Sequence, residues 1–406
     1  MTSRSHDLIL YGATGFVGRQ TVAYLARHGA GLRWALAGRD AGRLEAVRAA
    51  AGPGAEQAGI VVADATDAAA LDALASQARV VLSTAGPFAL YGTALVDACV
   101  RHRTHYVDIT GETPWVRSLI DRHDAQARED GTRIIPCCGF DSVPSDLGTW
   151  LLTQGMRDRF AEPCAEVNAA FSMRGGFNGG TVASMLNLMD AGEGERLADP
   201  FLLNPAGTAP ADAGRHRDPV RPRVHRDFRA WVGPFLMGPV NTRVVRRSGA
   251  LLQARGDNAC APGFRYQEYQ RFGPGPAAGA MAYALGGAFG LMQGLMRHPA
   301  GRRLAARIAP KPGEGPSEAR MDNGGFRCEL VGHSQSGRLL RARVAMKGDP
   351  GNRATTVFVC ESALALARDI DQLPPDGGVL TPASGLGPVL VRRLRAAGVT
   401  MELSAA

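Results

Sequence analysis

The chain has 406 residues, 45% hydrophobic and 21% charged, which is the balance of an ordinary globular protein. This length exceeds what one hydrophobic core usually holds, so we predict two domains. The net charge of +8 comes almost wholly from arginine, without a stripe of arginines interleaved with aromatics, which argues against a nucleic-acid-binding protein. The seven cysteines lack metal-ligand spacing, so no metal site is expected. The polar stretch Met1–Asp7 lacks the apolar run of a signal peptide, and we expect a cytoplasmic protein.

The first predicted element is a strand that leads into a turn with three glycines. The apolar run Leu8–Tyr11 precedes Gly12, Gly15 and Gly18, and a helical pattern continues to His28. Gly12 permits a tight turn, Gly15 lets the backbone approach phosphates, and Gly18 lets the helix pack on the strand. The helix N-terminus offers free N–H groups and a positive dipole end to an anion, although a turn without ligand is the alternative. The dinucleotide contacts are therefore predicted at Gly12, Thr14, Gly15, Phe16, Val17 and Gly18.

The end of the second predicted strand, Leu32–Ala37, indicates which dinucleotide binds. NAD-binding proteins usually place an acid here for the ribose 2′-hydroxyl, whereas this chain has Arg39, with Arg43 one helical turn later. A guanidinium suits a 2′-phosphate as a fixed charge and as a fork of donors, so NADP(H) is the predicted cofactor. Asp40 leaves open a contact with a ribose hydroxyl, and both arginines also fit solvated surface positions.

Strands and helices then alternate at intervals of about 25–30 residues, which predicts right-handed crossovers and a parallel sheet. The further strands are expected at Gly59–Ala63, Arg79–Ser83, His105–Ile109 and Arg133–Cys137, with helices at Ala68–Ser76, Gly92–Arg101 and Thr113–Asp130. Because ligands collect at the carboxyl ends of parallel strands, Ala85, Gly86 and Pro87 are expected along the cofactor, near its nicotinamide half. Asp64 is expected at the adenine edge, or as the cap of the following helix.

Several segments together form a pattern much narrower than the glycine turn alone. They are Gly12–Gly18, Ala37–Asp40, Ser83–Phe88, His105–Glu112 and Cys138–Asp146, followed by Gly175–Thr181 and Gly377–Ala383. This combination resembles the saccharopine dehydrogenase-like oxidoreductases, in the branch called trans-acting enoyl reductases, over most of the chain. The resemblance implies an NADP-linked oxidoreductase with a Rossmann domain and a second α/β domain, and it does not imply saccharopine as substrate. It also implies reduction of a carbon–carbon double bond in an acyl chain carried by a polyketide synthase partner.

The second half begins with another junction of strand, glycines and helix. A strand is predicted over Glu166–Met173 and a helix over Thr181–Asp190. Free N–H groups at such a junction suit an anion or an oxyanion, and an ordinary helix cap fits equally well. In the resembled family this segment faces the nicotinamide. The residues predicted to hold a substrate carbonyl or carboxylate are Arg174, Asn178, Gly179, Gly180 and Thr181.

The rest of the second half predicts a mixed sheet. Residues 191–230 are rich in Pro, Gly, Asp, Arg and His, which predicts a long loop or a lid. The remaining elements are strands at Val240–Leu252 and Gly263–Phe272, an antiparallel pair of Phe326–Val331 with Gly337–Met346, and helices at Thr355–Asp369 and Leu386–Ala397.

The stretch Pro276–Met296 has no charged residue along its whole length. Cations follow it at helical intervals, at Arg297, Arg302, Arg303, Arg307 and Lys311. Its length would permit a membrane span, but its many glycines and alanines make it only weakly apolar. A core or substrate-tunnel helix fits better, as does a surface for a peripheral membrane or partner contact.

The fold class expected from these elements is α/β, with an N-terminal Rossmann parallel sheet and a second α/β domain built on a mixed sheet. We place the NADP-binding Rossmann domain at residues 1–148 and a substrate or partner domain at residues 149–350. The second domain contains the loop 191–230 and the apolar segment 276–296. Residues 351–406 are expected to pack back on the Rossmann domain, as the resemblance implies.

The candidate proton donors are polar residues predicted at strand ends that face the cleft, namely Tyr106, Asp108, Asp141 and Ser142. Asp141 also fits a helix cap, and Tyr106 a core position. The favoured function is NADP(H)-dependent reduction of a double bond in a hydrophobic acyl-type substrate, free or carrier-bound. The alternative is a non-catalytic NADP(H)-binding scaffold on lipid or a synthase partner. A saccharopine-type amino-acid dehydrogenase ranks third, because only Arg174 is placed to meet its carboxylates. The oligomeric state stays open.

Overall fold

The computed structural model describes residues 4–176, 179, 183–184, 194–296, 298–308 and 313–405. The strands are β1 His6–Tyr11, β2 Trp34–Gly38, β3 Gly59–Val62, β4 Ala78–Ser83, β5 His105–Asp108, β6 Arg133–Ile135, β7 Cys164–Arg174, β8 Arg223–His225, β9 Ala230–Gly233, β10 Cys260–Gly273, β11 Gly325–Ser334, β12 Leu339–Lys347, β13 Gly378–Val379 and β14 Thr400–Ala405. The helices are α1 Phe16–His28, α2 Ala41–Ala50, α3 Ala68–Gln77, α4 Phe88–Tyr91, α5 Thr93–Arg101, α6 Thr113–Asp130, α7 Val143–Phe160, α8 Gly194–Ala198, α9 Gly238–Ala254, α10 Pro276–Met296, α11 Pro299–Ile308, α12 Glu318–Asp322, α13 Thr355–Arg368 and α14 Pro382–Ala396.

Sheet A is parallel, with the strand order β13-β6-β5-β4-β1-β2-β3. Its central strand β1 has no exposed surface at Leu8, Ile9 and Leu10, as expected for a parallel strand with both faces covered. The chain runs outward from β1 to β3 and then returns to β4 on the other side of β1. The carboxyl ends of β1 and β4 therefore flank the point where the strand order reverses, which is where such sheets bind ligands. The predicted Rossmann sheet is confirmed.

Sheet B is mixed, with the strand order β14-β12-β11-β7-β10-β9-β8. The strands β7 and β10 are parallel, whereas β11 runs antiparallel to both β7 and β12. The pair of β11 and β12 confirms the predicted antiparallel hairpin.

A layer of helices lies between the two sheets. The helix α7 packs on β11 and β12 of sheet B, α13 packs on β4 and β5 of sheet A, and α14 packs on both helices. Leu147 of α7 and Phe358 of α13 have no exposed surface. The last part of the chain contributes β13 to sheet A and β14 to sheet B, so it contacts both sheets. The domain boundaries at residues 148 and 350 stay a prediction.

The predicted strand Val240–Leu252 is wrong, because this stretch lies inside the helix α9. The helix buries every residue from Asn241 to Ser248, and Leu251 one turn later. The strand was predicted from a strand-like alternation along this stretch. Because α9 packs on β10, α7 and α14 and also holds the loop before it, tertiary packing overrides that local pattern.

The segment predicted as a loop or lid, residues 191–230, has little regular structure in its described part, 194–230. Buried arginines of α9 hold it in place. Arg246 donates from Nη1 to the carbonyl of Pro200 at 2.8 Å and from Nη2 to that of His216 at 2.7 Å. Arg247 donates to the carbonyl of Leu203 at 2.6 Å. These guanidinium groups satisfy loop carbonyls that would otherwise be buried without donors.

The variant Arg246→Met should lower the free energy of unfolding by about 2–4 kcal/mol, because the buried carbonyls of Pro200, His216 and Tyr266 would lose a donor. Urea unfolding measures this change, and hydrogen exchange should become faster in residues 199–218. The matched control is Arg343→Met, an exposed arginine of β12 that pairs with Glu402. Its effect should stay within about 0.5 kcal/mol. Equal losses in the two variants would contradict the anchoring role of Arg246.

Candidate active site

The turn between β1 and α1 depends on its glycines. Gly12 has a φ of +85°, and a Cβ there would lie 2.9 Å from the Ala85 nitrogen. A Cβ on Gly18 would lie 2.2 Å from the Gly12 carbonyl oxygen, so only glycine lets α1 pack this close to the turn. Gly15 is the N-cap of α1 and makes no side-chain hydrogen bond to the first helical turn. The N–H groups of that turn are therefore left for an anionic ligand.

The loop after β4 lies against this glycine turn. The Thr84 N–H donates to the carbonyl of Tyr11 at 2.9 Å, and the Thr84 hydroxyl donates to the carbonyl of Gly12 at 3.1 Å. The predicted cofactor residues Ala85, Gly86 and Pro87 follow directly. The structure thus brings the loops after β1 and β4 together at the edge where the strand order reverses.

Glu112 is a buried carboxyl residue at this edge that was not predicted from the sequence. It accepts hydrogen bonds from the N–H groups of Phe88 and Ala89 at 2.8 and 2.9 Å. It also accepts a bond from the Ser184 hydroxyl at 2.8 Å. Glu112 thereby ties the loop after β5 to the N-terminus of α4 and to the segment after β7. In the sequence, Glu112 ends the motif His105–Glu112, but nothing there indicates its hydrogen-bond partners.

The end of β2 presents the predicted arginines to solvent. Arg39 and Arg43 are both exposed. Asp40 caps α2, because one of its carboxylate oxygens accepts the backbone N–H of Arg43 at 3.0 Å. The guanidinium groups are thus the groups at this strand end that suit a ribose 2′-phosphate.

Asp64 follows β3 and forms a turn with Thr66, whose hydroxyl and N–H both donate to its carboxylate. These hydrogen bonds, and the nearby charge of Arg39, lower the pKa of Asp64. The helix cap expected of Asp64 is wrong, because Asp67 caps α3 by accepting the N–H of Ala70. A place at the adenine edge stays a prediction for Asp64.

Residues Gly313–Gly315, which we call the strap, cross the glycine turn. Arg19 of α1 donates to the carbonyl of Gly313 at 3.1 Å. The Phe16 ring packs so closely on Gly315 that a Cβ there would lie 2.5 Å from the ring. Sequence reasoning missed the strap, because these contacts join residues almost 300 positions apart.

NADP(H) fits the residues that surround the turn. The first turn of α1 would hold the pyrophosphate over a surface without side chains at Gly15. Arg39 and Arg43 would hold the 2′-phosphate with charge-assisted hydrogen bonds. The loop after β4 would border the nicotinamide half.

Tyr106 and Asp108 lie in the core of sheet A, and neither has more than a trace of exposed surface. Tyr106 therefore occupies a core position, which was the alternative prediction for this residue, and it does not lie in the open cleft. Asp108 accepts the N–H groups of Thr110 and Cys137 at 3.0 and 3.1 Å, and burial raises its pKa to about 7. Its second oxygen faces the Tyr106 hydroxyl without meeting hydrogen-bond geometry. This carboxyl orders the loops after β5 and β6.

Asp141 is only half-buried. A carboxylate oxygen lies 3.5 Å from the position of a Cβ on Gly111, beside Val240 in the first turn of α9. Burial raises the pKa of Asp141 to about 6. The neighbouring Ser142 is the buried N-cap of α7, and its hydroxyl makes no capping bond. The structure thus places a half-buried aspartate with a raised pKa where β5 and β6 end.

Comparison with known proteins identifies the family. The family model for the saccharopine dehydrogenase NADP binding domain matches residues 8–135. A putative trans-acting enoyl reductase of Mycobacterium tuberculosis is 42% identical over 99% of this chain and 98% of its own length. A trans-acting enoyl reductase of Mycobacterium bovis is 40% identical over 98% of this chain and 97% of its own. This chain belongs to the trans-acting enoyl reductase family. It is an NADP-dependent oxidoreductase of the saccharopine dehydrogenase-like type.

A solved structure supports the same fold. Apo saccharopine dehydrogenase (L-Glu forming) from Saccharomyces cerevisiae has a TM-score of 0.55 and 12% identity, and the match covers 98% of this chain and 99% of that chain. The likeness shows a shared fold, which confirms the predicted α/β class. The matched domain confirms NADP(H) as the cofactor.

In this member of the enoyl reductase family, the motif Cys138–Asp146 ends with two residues that make structural hydrogen bonds, Ser145 and Asp146. The Ser145 hydroxyl donates to Glu268 of β10 at 2.9 Å, and Asn241 of α9 donates to the same carboxyl at 2.8 Å. Burial raises the pKa of Glu268 to about 8. Asp146 accepts the N–H of Ala383 at 2.8 Å. The start of α7 is thus tied to sheet B, α9 and α14 through partners that the sequence analysis did not name.

The predicted substrate residues are partly described. Arg174 is exposed and lies in one row with Gly325 and Lys347, on the sheet B face opposite to the packed Met173. Gly179 is buried and donates its N–H to the carbonyl of Glu314 in the strap at 3.0 Å. Outside the described residues lie Asn178, Gly180 and Thr181.

All seven cysteines are free thiols. The described parts of the chain contain no group of three or more His, Cys, Asp and Glu side chains that could hold a metal ion.

Replacing Arg39 should change cofactor selectivity. We expect Arg39→Ala to raise the Kd for NADPH by about 10- to 100-fold, because charge-assisted bonds to the 2′-phosphate would be lost. Binding of NADH, which lacks that phosphate, should change by less than about twofold. Fluorescence titration measures both constants, with Arg27→Ala, an exposed arginine near the far end of α1, as control. Equal weakening of NADPH and NADH would show that Arg39 does not contact the 2′-phosphate.

Proposed function

We propose that this protein reduces the carbon–carbon double bond of a hydrophobic enoyl thioester with NADPH, and that Asp141 supplies the proton. The relatives carry the name trans-acting enoyl reductase, and the NADP-binding domain supplies the cofactor site. The observation that supports the proton donor is the half-buried carboxyl of Asp141, beside Gly111 at the carboxyl edge of sheet A.

The reaction needs one hydride and one proton. NADPH, held by the glycine turn after β1 and by Arg39 and Arg43, would supply the hydride for the β-carbon of the enoyl group. The Asp141 carboxyl gives its proton to the α-carbon, is left as a carboxylate, and regains a proton from water. A pKa of about 6 suits this role, because the acid is strong enough to donate and still partly protonated near neutral pH.

The other residues at this edge position the site. Gly111 has no side chain, and a Cβ there would lie 3.5 Å from the Asp141 carboxyl and 3.7 Å from Val240. Glu112 fixes the neighbouring loop after β4 through two backbone N–H groups. The segment of Asn178, Gly179, Gly180 and Thr181 stays the predicted site for the thioester carbonyl. Tyr106, Asp108 and Ser142 are buried, so the proton is not assigned to them.

We also infer where the substrate comes from. The name of the relatives suits an acyl chain held by a separate protein, and a polyketide synthase is the partner that the resemblance implies. The reaction would take place in the cytoplasm, with peripheral contact to a membrane.

The variant Asp141→Asn tests the proton donor. Its kcat for a soluble enoyl thioester should fall about 10²- to 10⁴-fold, because the amide cannot act as an acid at neutral pH. In the unchanged protein the rate should fall as pH rises through about 6, because only the protonated carboxyl donates. The variant should lack that limb of the pH profile. Stopped-flow oxidation of NADPH measures both effects.

The control is Asp371→Asn, an exposed carboxylate distant in sequence from the motif, which should keep the full rate and pH profile. The affinity of Asp141→Asn for NADPH should stay within about twofold of the unchanged protein, so that the loss lies in the chemical step. An unaltered pH limb in Asp141→Asn would assign the proton to another group.

A further inference from the structure

The helix α10 packs on the protein by one face only. Gly279 lies against Trp231, Gly286 lies against Pro222, and Ala282 is buried. The outward face carries large apolar side chains that are exposed and are spaced as a stripe along the helix. We call this set the apolar stripe; it consists of Met281, Leu285, Leu291, Met292 and Leu295.

The apolar stripe lies in the region with the highest concentration of exposed large apolar side chains. Thirteen large hydrophobic side chains are exposed among the described residues, and seven of them lie between Met281 and Leu304. Leu291 alone is 70% exposed. Scattered single exposures are common in proteins, whereas a concentration of this kind marks a contact surface.

The next helix adds positive charge. No aspartate or glutamate occurs between residues 276 and 313. Arg302 donates from Nη1 to the carbonyl of Met296 at 3.0 Å, so α11 begins directly at the end of the apolar helix. Arg303 and Leu304 of α11 are exposed. The cations of this stretch are Arg297, Arg302, Arg303, Arg307 and Lys311.

We propose that α10 and α11 form a docking surface for an anionic lipid bilayer. The leucine and methionine side chains of the apolar stripe would enter the boundary of the acyl chains, while Arg303 of α11 would meet lipid phosphates. No helix in the described ranges is long and apolar enough to cross a bilayer, so the contact lies in the plane of the membrane.

The chemistry of the surface favours lipid over protein. A protein interface surrounds its apolar centre with polar residues and takes its strongest contacts from Trp, Tyr and Arg. The apolar stripe instead consists of Leu and Met, on a helix without a charged residue. The exposed Tyr283 of this helix is not part of the stripe and packs beside Trp231, with ring centroids 6.0 Å apart. A second copy of this chain would bring cations without one acidic residue in the same stretch to pair with them. An anionic bilayer supplies both the apolar layer and the negative charge.

The docking surface also leads to the cofactor site. Four residues after α11, the chain forms the strap Gly313–Gly315, which contacts Arg19 and Phe16 at the glycine turn. Docking would therefore bring the cofactor site close to the lipid surface. A hydrophobic acyl substrate would then enter from the bilayer side, and this last step alone rests on the proposed function.

Sedimentation of the full-length protein with vesicles tests the proposal. Vesicles of phosphatidylcholine mixed with phosphatidylglycerol should bind it, and vesicles of phosphatidylcholine alone should bind it more weakly. The double variant Leu285→Ser and Leu295→Ser should lose about tenfold or more in affinity, because two side chains no longer enter the bilayer. The matched control is Leu339→Ser, an exposed leucine of β12, which should bind as the unchanged protein does.

The charge contribution has its own variant. Arg303→Gln should weaken binding to the anionic vesicles about fivefold, the effect of one cation near such a surface, and added salt should reduce the difference. Arg343→Gln on β12 should have no effect.

The outcomes separate docking from catalysis. NADPH binding and turnover of a soluble enoyl thioester should be unchanged in the Leu285 and Leu295 variant, so a failed reaction does not bear on docking. Absence of binding to anionic vesicles would overturn the proposal. A dimer in sedimentation velocity that the same double variant dissociates, or capture of an acyl carrier protein without lipid, would assign the apolar stripe to a protein and would overturn it as well.

Discussion

The close approach of α1 to the turn after β1 is the constraint on which the cofactor site depends. The Gly12 carbonyl occupies the space that a side chain on Gly18 would need. This approach sets the direction of the free N–H groups in the first turn of α1, because the helix axis cannot tilt away from the strand. The loop after β4 touches the same turn through Thr84, and the strap covers it near Phe16. Three distant parts of the chain thus converge on one backbone turn.

A second joint lies at the start of α7, where the two sheets meet. Phe140 packs edge-on against Phe171 of β7 and Phe326 of β11, with ring centroids 5.9 and 4.9 Å apart. Ser145 and Asp146 add hydrogen bonds to β10 and α14. Because Asp141 lies between these anchors, its position is set by sheet B as well as by sheet A. A motif that reads as one loop therefore aligns the carboxyl edge of the Rossmann sheet with the second sheet.

Local patterns account for what could be predicted from the sequence. The run from Leu8 to Gly18 specifies strand, turn and helix at once, because each glycine meets a steric demand within ten residues. The helix α9 was predicted as a strand, because its residues show a strand-like alternation. Its arginines are buried, although arginine is usually a surface residue. Burial of Arg246 depends on carbonyls about 30 and 46 positions away, and no local pattern contains them. The partners of Glu112 and Glu268 escaped prediction for the same reason.

Burial raises the pKa values of four carboxyls, namely Asp108 at the end of β5, Asp141 after β6, Asp146 in α7 and Glu268 in β10. Asp108, Asp146 and Glu268 are buried, and their hydrogen bonds hold loops, helices and strands together. Asp141 differs from them because it is only half-buried.

Each of these carboxyls has a higher pKa in the folded state than its value of about 4 in the unfolded state. Its contribution to the free energy of unfolding is fully present below about pH 4 and is lost as the pH rises through the folded-state pKa. The folded values here run from about 6 for Asp141 to about 8 for Glu268, so the burial that keeps these groups protonated costs stability at alkaline pH. A proton donor must be protonated near neutral pH and also reachable by substrate. Among these four carboxyls Asp141 alone meets both conditions, because hydrogen-bonded burial withdraws the other three from the cleft.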